Sequence, residues 1–211
     1  AYTNIDDPSA FFQTALYTGN GGTLAVTNDG NSNLQPDLVW TKRRDSTSHN
    51  TLVDSSRGAS TQIYANLTAA EETVSGVTAF NTDGFTLGSN GTANASSGTF
   101  AGWQWKVNGG TTSSNTDGTI TSTVQANTDA GFNIVTYTGN GSNSNFAHGM
   151  GEQPDMVIVK RRNAAANWCV WHKDLTSSYY LQLDTNISQQ SGPWDGLDPS
   201  SDRVFVYSGG L

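Results

Sequence analysis

Two stretches of this chain, 118 positions apart, carry nearly the same phrase. Gln35-Pro36-Asp37-Leu38-Val39-Trp40-Thr41-Lys42-Arg43-Arg44 returns as Gln153-Pro154-Asp155-Met156-Val157-Ile158-Val159-Lys160-Arg161-Arg162. Two further anchors recur in the same order at an offset of 120. Tyr17-Thr18-Gly19-Asn20-Gly21 comes back as Tyr137-Thr138-Gly139-Asn140-Gly141, and Phe85 as Phe205. Colinear anchors with small slips in the loops between them point to a duplicated unit, so whatever fold the chain adopts is expected twice.

Each copy reads as strands. Residues 13–17 and 132–137 run into the Thr-Gly-Asn-Gly turns. The apolar runs 37–42 and 155–160 predict strands covered on both faces. Pro36 and Pro154 stand just ahead of them, where a missing N–H costs least. A polar loop then leads to residues 51–53 in one copy and 168–172 in the other, which puts the basic residues at the mouth of a hairpin. The first copy closes with Thr99-Phe100-Ala101-Gly102-Trp103-Gln104-Trp105-Lys106, whereas the second reaches Tyr207-Ser208-Gly209-Gly210-Leu211 with no counterpart. One final strand is therefore expected to be missing: cut away, or supplied by another chain. Within these residues, 1–12 are the favoured donor.

Composition agrees with strands. Gly occurs 23 times, aromatics reach 10% and charged residues only 13%, the mark of short strands joined by tight turns. Helical periodicity amounts to a single turn, over residues 68–72. The expectation is an all-β chain of two tandem antiparallel β-sandwich repeats of concanavalin or jelly-roll type. Repeat 1 spans residues 1–109, a linker 110–126, and repeat 2, without its final strand, 127–211.

Charge narrows the function. A net charge of -8 repels nucleic acid and anionic lipid, and no apolar run approaches membrane-spanning length. Six of the 10 Lys and Arg residues sit in the two copies of the opening phrase. A duplicated position argues for architecture before ligand. Arg43, Arg44, Arg161 and Arg162 are expected to pair with carboxylates, Asp37 and Asp155 or Asp54 and Asp174 being the available partners. A glycosidase needs two carboxylates framing a sugar bond, and neither Glu71, Glu72 and Glu152 nor the loop aspartates supply such a context. No catalytic residue is expected. Cys169 is the only cysteine, and His49, His148 and His172 show no metal spacing, so neither a metal nor another cofactor is implied. Sugar binding is the sharper alternative, with Trp194 and Asp195 in a Gly-Pro-Trp-Asp-Gly loop and Tyr179-Tyr180 as candidate contacts.

The combination of Tyr-Thr-Gly-Asn-Gly, Gln-Pro-Asp-(apolar run)-Lys-Arg-Arg, Asp54-Ser55-Ser56-Arg57-Gly58, Phe80-Asn81-Thr82-Asp83-Gly84-Phe85 and Trp103-Gln104-Trp105-Lys106 resembles a repeat module of large virion proteins of tailed bacteriophages. Many of these phages are marine, and the module often lies near concanavalin-like or SPRY-like segments. The joining stretch 118–127 is also similar to that family's linker, and the resemblance covers residues 7–211. It implies a structural protein of the virion, of tail-fibre, appendage or capsid-decoration type, as part of an extracellular particle. Implied partners are other virion subunits in a homo-oligomer, with a trimer favoured, and a host-surface glycan. Nucleic acid and membrane insertion are not implied. The runner-up is a glycan-binding, lectin-like module of a bacterial surface or secreted protein.

Overall fold

A computed structural model describes residues 5–192 and 198–207. The regular elements among the described residues are strands, apart from a 3-10 turn at Pro8–Ala10 and one helical turn, α1 (Gly91–Asn94). Two compact units divide the chain: Ala1–Ala65 with Glu71–Thr111, and Asn66–Ala70 with Thr112–Leu211. None of the described helices is long and apolar enough to cross a membrane.

The first unit holds β1 (Phe12–Thr18), β2 (Leu24–Val26), β3 (Leu38–Arg43), β4 (Thr51–Asp54), β5 (Thr61–Tyr64), β6 (Glu72–Thr73), β7 (Val77–Phe80), β8 (Phe85–Leu87) and β9 (Thr99–Trp105). They form a six-stranded sheet, β1-β9-β3-β4-β5-β6, and a three-stranded sheet, β2-β8-β7. Ala15, Val39 and Val53 from the first pack on Val26, Val77, Phe85 and Leu87 from the second. That is a sandwich core, with apolar side chains alternating inward from both layers.

The last strand of this unit is an interior one. β9 lies antiparallel between β1 and β3, pairing Phe12 and Leu38 with Trp105, Thr14 and Trp40 with Trp103, and Tyr17 and Arg43 with Phe100. Its inward positions carry Phe100, Gly102 and Gln104, all buried. Phe85 lies against Gly102: a Cβ there would stand 3.1 Å from Phe85 Cζ, so the ring would have to shift by a few tenths of an ångström to admit one. The outward tryptophans meet neighbours on adjacent strands, Trp105 with Phe12 at 5.0 Å and Trp103 edge-on with Trp40 at 6.3 Å between ring centroids. At the β7–β8 turn, Gly84 has φ of 96° and a Cβ would overlap the Val26 carbonyl, so only glycine fits.

The second unit holds β10 (Ser113–Asn115), β11 (Ser122–Asn127), β12 (Phe132–Tyr137), β13 (Ser144–Ala147), β14 (Met156–Val159), β15 (Cys169–His172), β16 (Tyr179–Gln182), β17 (Gln190–Ser191) and β18 (Arg203–Val206). Its sheets run β10-β11-β12, β13-β18 and β14-β15-β16-β17. Part of this order matches the first unit: β14 to β17 pair as β3 to β6 do, and β13 pairs with β18 as β2 does with β8. Ile120, Phe146, Val204 and Val206 form one core cluster, and Val159, Cys169 and Trp171 another. Tyr137 and Val157 pack against both.

Two expectations need correction. The segment expected as a linker, 110–126, carries β10 and most of β11, and β11 pairs along the whole of β12. Small, polar residues read as a linker, yet Ser122, Val124 and Gln125 are buried. The favoured strand donor, residues 1–12, is also displaced. Its described part opens the first unit: Asp7 caps the 3-10 turn, and Phe12 begins β1 opposite Trp105.

Candidate functional site

The repeated Lys-Arg-Arg phrase closes two hairpins by the same contacts. Lys42 Nζ donates to the Ser48 carbonyl at 2.6 Å, and Lys160 Nζ donates to the Ala166 carbonyl at 2.8 Å. Both carbonyls lie six residues on, in the polar loop, so each ammonium ties its own loop back to the strand. Arg43 Nε reaches Asp45 Oδ1 at 2.7 Å, and Arg161 Nε reaches Asn163 Oδ1 at 3.0 Å, two residues on in each case. The Arg43 guanidinium holds the Asp45 carboxyl below the usual carboxylate range, chiefly through that hydrogen bond, and its own pKa rises in return. Arg44 contributes its backbone N–H, which donates to the Thr99 carbonyl at 2.7 Å. Arg161 and Arg162 are exposed.

The carboxylates expected as partners are engaged elsewhere. Asp54 takes the buried Arg57, through Nε at 2.5 Å, and Arg57 also reaches Glu71 at 3.2 Å and the Leu52 carbonyl at 3.2 Å. The Arg57 side chain is only 4% exposed, so this fork is a buried ion network rather than a solvated pair. Glu72 accepts from Tyr64 Oη at 2.5 Å and from Gln62 Nε2 at 3.1 Å. Asp174 lies 3.7 Å from His172. Sequence reasoning missed Arg57 because its partners stand three and fourteen residues away, on different elements.

Asp37 and Asp155 occupy the same place in the phrase and have opposite surroundings. Asp37 is fully buried. Its carboxylate accepts from Val107 N at 2.6 Å, Gly109 N at 2.9 Å, Gly110 N at 2.7 Å and Ser55 Oγ at 2.6 Å. It thereby anchors the chain leaving β9. The Asp155 side chain is 73% exposed and holds Lys173 Nζ at 2.7 Å, a contact that keeps its pKa low. The backbone link is nonetheless common to both: Ser55 N donates to Asp37 O at 2.8 Å, Lys173 N to Asp155 O at 3.0 Å.

The sugar-contact candidates are not brought together by the described residues. Trp194 and Asp195 lie outside them. Tyr179 and Tyr180 are half-buried on β16, opposite Ser191 and Gln190, and the Tyr180 ring packs against the Val159, Cys169 and Trp171 cluster. Trp171 is core, its indole N–H donating to Asp198 at 3.1 Å. His148 is buried, with Nδ1 accepting from Met150 N at 3.3 Å and Nε2 3.2 Å from the Ser200 carbonyl. Burial lowers its pKa. Burial also pushes the Tyr137 phenol up to about 12 and the Cys169 thiol up to about 11. Among the described residues, no group of three or more His, Cys, Asp and Glu side chains is placed to hold a metal ion.

A family model described as a domain of unknown function, DUF7483, matches residues 7–210. No curated protein and no solved structure matches the chain.

Proposed function

We propose, for a chain that belongs to the DUF7483 family, a non-enzymatic role as a structural protein of a tailed-phage virion, in a fibre, appendage or capsid-decoration position. The observation that carries the reading is how the repeated cations are used. Lys42 and Lys160 bind loop carbonyls, Arg43 and Arg161 bind side chains two residues on, and Arg57 is buried between Asp54 and Glu71. Groups spent on holding loops are not available to bind a substrate. Glu71 and Glu72 are partners of Arg57 and Tyr64. The resemblance of the motifs to phage virion repeats supplies the particle, and the same reading takes the two units as copies of one ancestral sandwich. It also makes the chain a homo-oligomer, with a trimer favoured.

Three measurements test this. Mass spectrometry of purified virions should find the chain at a fixed ratio to the major structural proteins. The purified chain should release no reducing sugar from host polysaccharide. On a glycan array it should bind nothing, or only host-surface glycans. Absence from particles, or sugar release, overturns the reading. Glycan binding together with absence from particles would favour the lectin-like alternative.

A further inference from the structure

The Thr-Gly-Asn-Gly turn occurs twice with one geometry and two sets of neighbours. Gly21 and Gly141 have φ of 72° and 75°. In both turns the asparagine Oδ1 accepts from the N–H two residues on, Gly22 N and Ser142 N, at 2.9 Å. The first turn is held in place. Gly21 N donates to the Asn94 carbonyl, Asn20 N to Asn94 Oδ1 and Asn20 Nδ2 to the Thr23 carbonyl, each at 2.9 Å. In the second turn residues 138–143 are exposed, and neither Gly141 N nor Asn140 Nδ2 has a hydrogen-bond partner among the described residues. A Cβ at Gly19 would overlap the Ala95 carbonyl, whereas one at Gly139 or Gly141 would meet nothing within 4 Å.

We propose that the Asn140–Gly141 peptide is a modification site, where the turn undergoes spontaneous deamidation with water as the co-reactant. Gly141 N gives its proton to hydroxide and attacks Asn140 Cγ. The new N–Cγ bond closes a succinimide ring as the Cγ–Nδ2 bond breaks, and Nδ2 takes a proton from water and departs as ammonia. Water then opens the ring at Cγ, giving aspartate, or at the backbone carbonyl, giving isoaspartate. The net change is hydrolysis of the side-chain amide, which needs no oxidant, reductant or further reagent. Ser142 N and Ser144 Oγ both stand 2.9 Å from Asn140 Oδ1, the oxygen on which negative charge grows during the attack. The attacking N–H and the departing NH2 have no bond that must first be broken, so the reactive geometry is reached by rotation within the turn alone.

The fold blocks the same chemistry at the other three Asn–Gly pairs of the chain, 20–21, 90–91 and 108–109. Asn20–Gly21 is tied to Asn94 at both peptide nitrogens. At Asn108–Gly109 the Gly109 N–H donates to Asp37 Oδ2 at 2.9 Å, and a carboxylate acceptor opposes loss of that proton. The leaving group is held as well, Asn108 Nδ2 donating to the Thr111 carbonyl at 3.1 Å. At Asn90–Gly91 the peptide plane is fixed, because the Asn90 carbonyl accepts from Ala93 N at 3.2 Å and Asn94 N at 2.8 Å while its side chain caps α1. Conversion of Asn140 exchanges a neutral amide for a carboxylate, and isoaspartate lengthens the backbone between β12 and β13 by one carbon. The turn thereby records the age of the chain. This inference rests on the bonding of the turns and holds whether or not the assembly is a virion.

The test incubates the purified whole chain at pH 8 and maps timed samples by digestion and mass spectrometry, which follows Asn20, Asn90, Asn108 and Asn140 separately in one tube. Asn140 is expected to convert at least tenfold faster than each of the other three. Its conversion should quicken as pH rises, because Gly141 N must lose its proton. The same incubation in denaturant removes the bonds that separate the four pairs, so their rates should converge. A native lead of less than tenfold overturns the proposal, as does faster conversion at another pair. So does a lead that persists undiminished in denaturant, which would place its cause in the neighbouring residues and not in the folded turn. Detection of the chain in virions does not depend on this conversion, so failure here and failure of the particle role are distinguishable.

Discussion

Asp37→Asn is the sharpest probe of what the repeated phrase does in the first unit. The carboxylate accepts four hydrogen bonds: Oδ2 takes Val107 N and Gly109 N, and Oδ1 takes Gly110 N and Ser55 Oγ. An amide can keep only one oxygen. Its better orientation puts the NH2 on the Oδ1 side, where the Ser55 hydroxyl can turn round and accept. Gly110 N–H then loses its acceptor, at a cost of about 1–3 kcal/mol for an unsatisfied donor. The two bonds left on the carbonyl oxygen fall from charge-assisted to neutral, losing about 1 kcal/mol each. The sum is about 3–5 kcal/mol, a large share of the stability of a domain this size. Urea denaturation of the purified chain measures it, with amide exchange at Val107, Gly109 and Gly110 as the local readout. The exposed Asp155→Asn is the control and should change little, because that carboxylate is solvated and faces a single exposed lysine. An Asp37→Asn variant within about 1 kcal/mol of the parent, with those amides still protected, would refute the claim that this carboxylate holds the chain leaving β9.

Arg57→Ala should destabilise the first unit by about 3–5 kcal/mol in the same urea assay, because it leaves Asp54 and Glu71 facing a buried vacancy; a loss under about 1 kcal/mol would mean the network is solvated. His148 binds its proton less readily when folded than at its ordinary value of 6.5, so the unfolded chain takes up protons first as pH falls. The stability it contributes is complete above pH 6.5 and is lost as pH drops through that value and on through the folded pKa. The imidazolium would also set Nδ1–H against Met150 N–H. Thermal melts from pH 7.5 to 5 should therefore fall less steeply for His148→Gln, and equal slopes would count against this. The Cys169 thiol, buried and pushed up to about 11, should resist a thiol reagent at pH 8 in the native chain and react fully in denaturant; stoichiometric native labelling would contradict its place in the core.

Much of the architecture was legible because it rests on local pattern. The apolar runs after Pro36 and Pro154 became β3 and β14, although β14, expected to be covered on both faces, leaves Met156 and Ile158 exposed, and the stretches ahead of the Thr-Gly-Asn-Gly turns became β1 and β12. The hairpin at each Lys-Arg-Arg followed from the same spacing. β10 and β11 were not legible: residues such as Ser122 and Thr123 are strand because β10 and β12 lie on either side of them, and so polar a run carries little apolar alternation to reveal it. The short α1 escaped for another reason. It is one turn long and rests on its cap, Asn90 accepting from Thr92 N, and a nucleus that small has no periodicity to read. The partners of the arginines depended on tertiary placement. Arg43 found Asp45 by proximity in its own loop, while Asp37 went to backbone amides that follow a strand some seventy residues further along. The sugar-contact residues share no pattern beyond their type, and Tyr180 went to the core because β15 lies beside β16.

The position of β9 between β1 and β3 also sets an order of events in time. Among the described strands β1 meets its one partner across a loop of 80 residues, since Thr18 pairs with Thr99 and Phe12 with Trp105. Closing so long a loop is slow in comparison with a local hairpin. During synthesis, which proceeds at about 5–20 residues per second, β1 and β3 would wait several seconds for the strand that joins them. β11 and β12, separated by a turn of four residues, need no such wait. The first unit should thus gain cooperative structure only once its last strand has been made, and not progressively as its earlier strands emerge. Before then, its nascent form has both strand edges bare and depends on prompt arrival of Trp103 and Trp105. Ribosome-bound chains halted before residue 99 should be degraded by protease far faster than those halted some forty residues beyond 106, where β9 has cleared the exit tunnel.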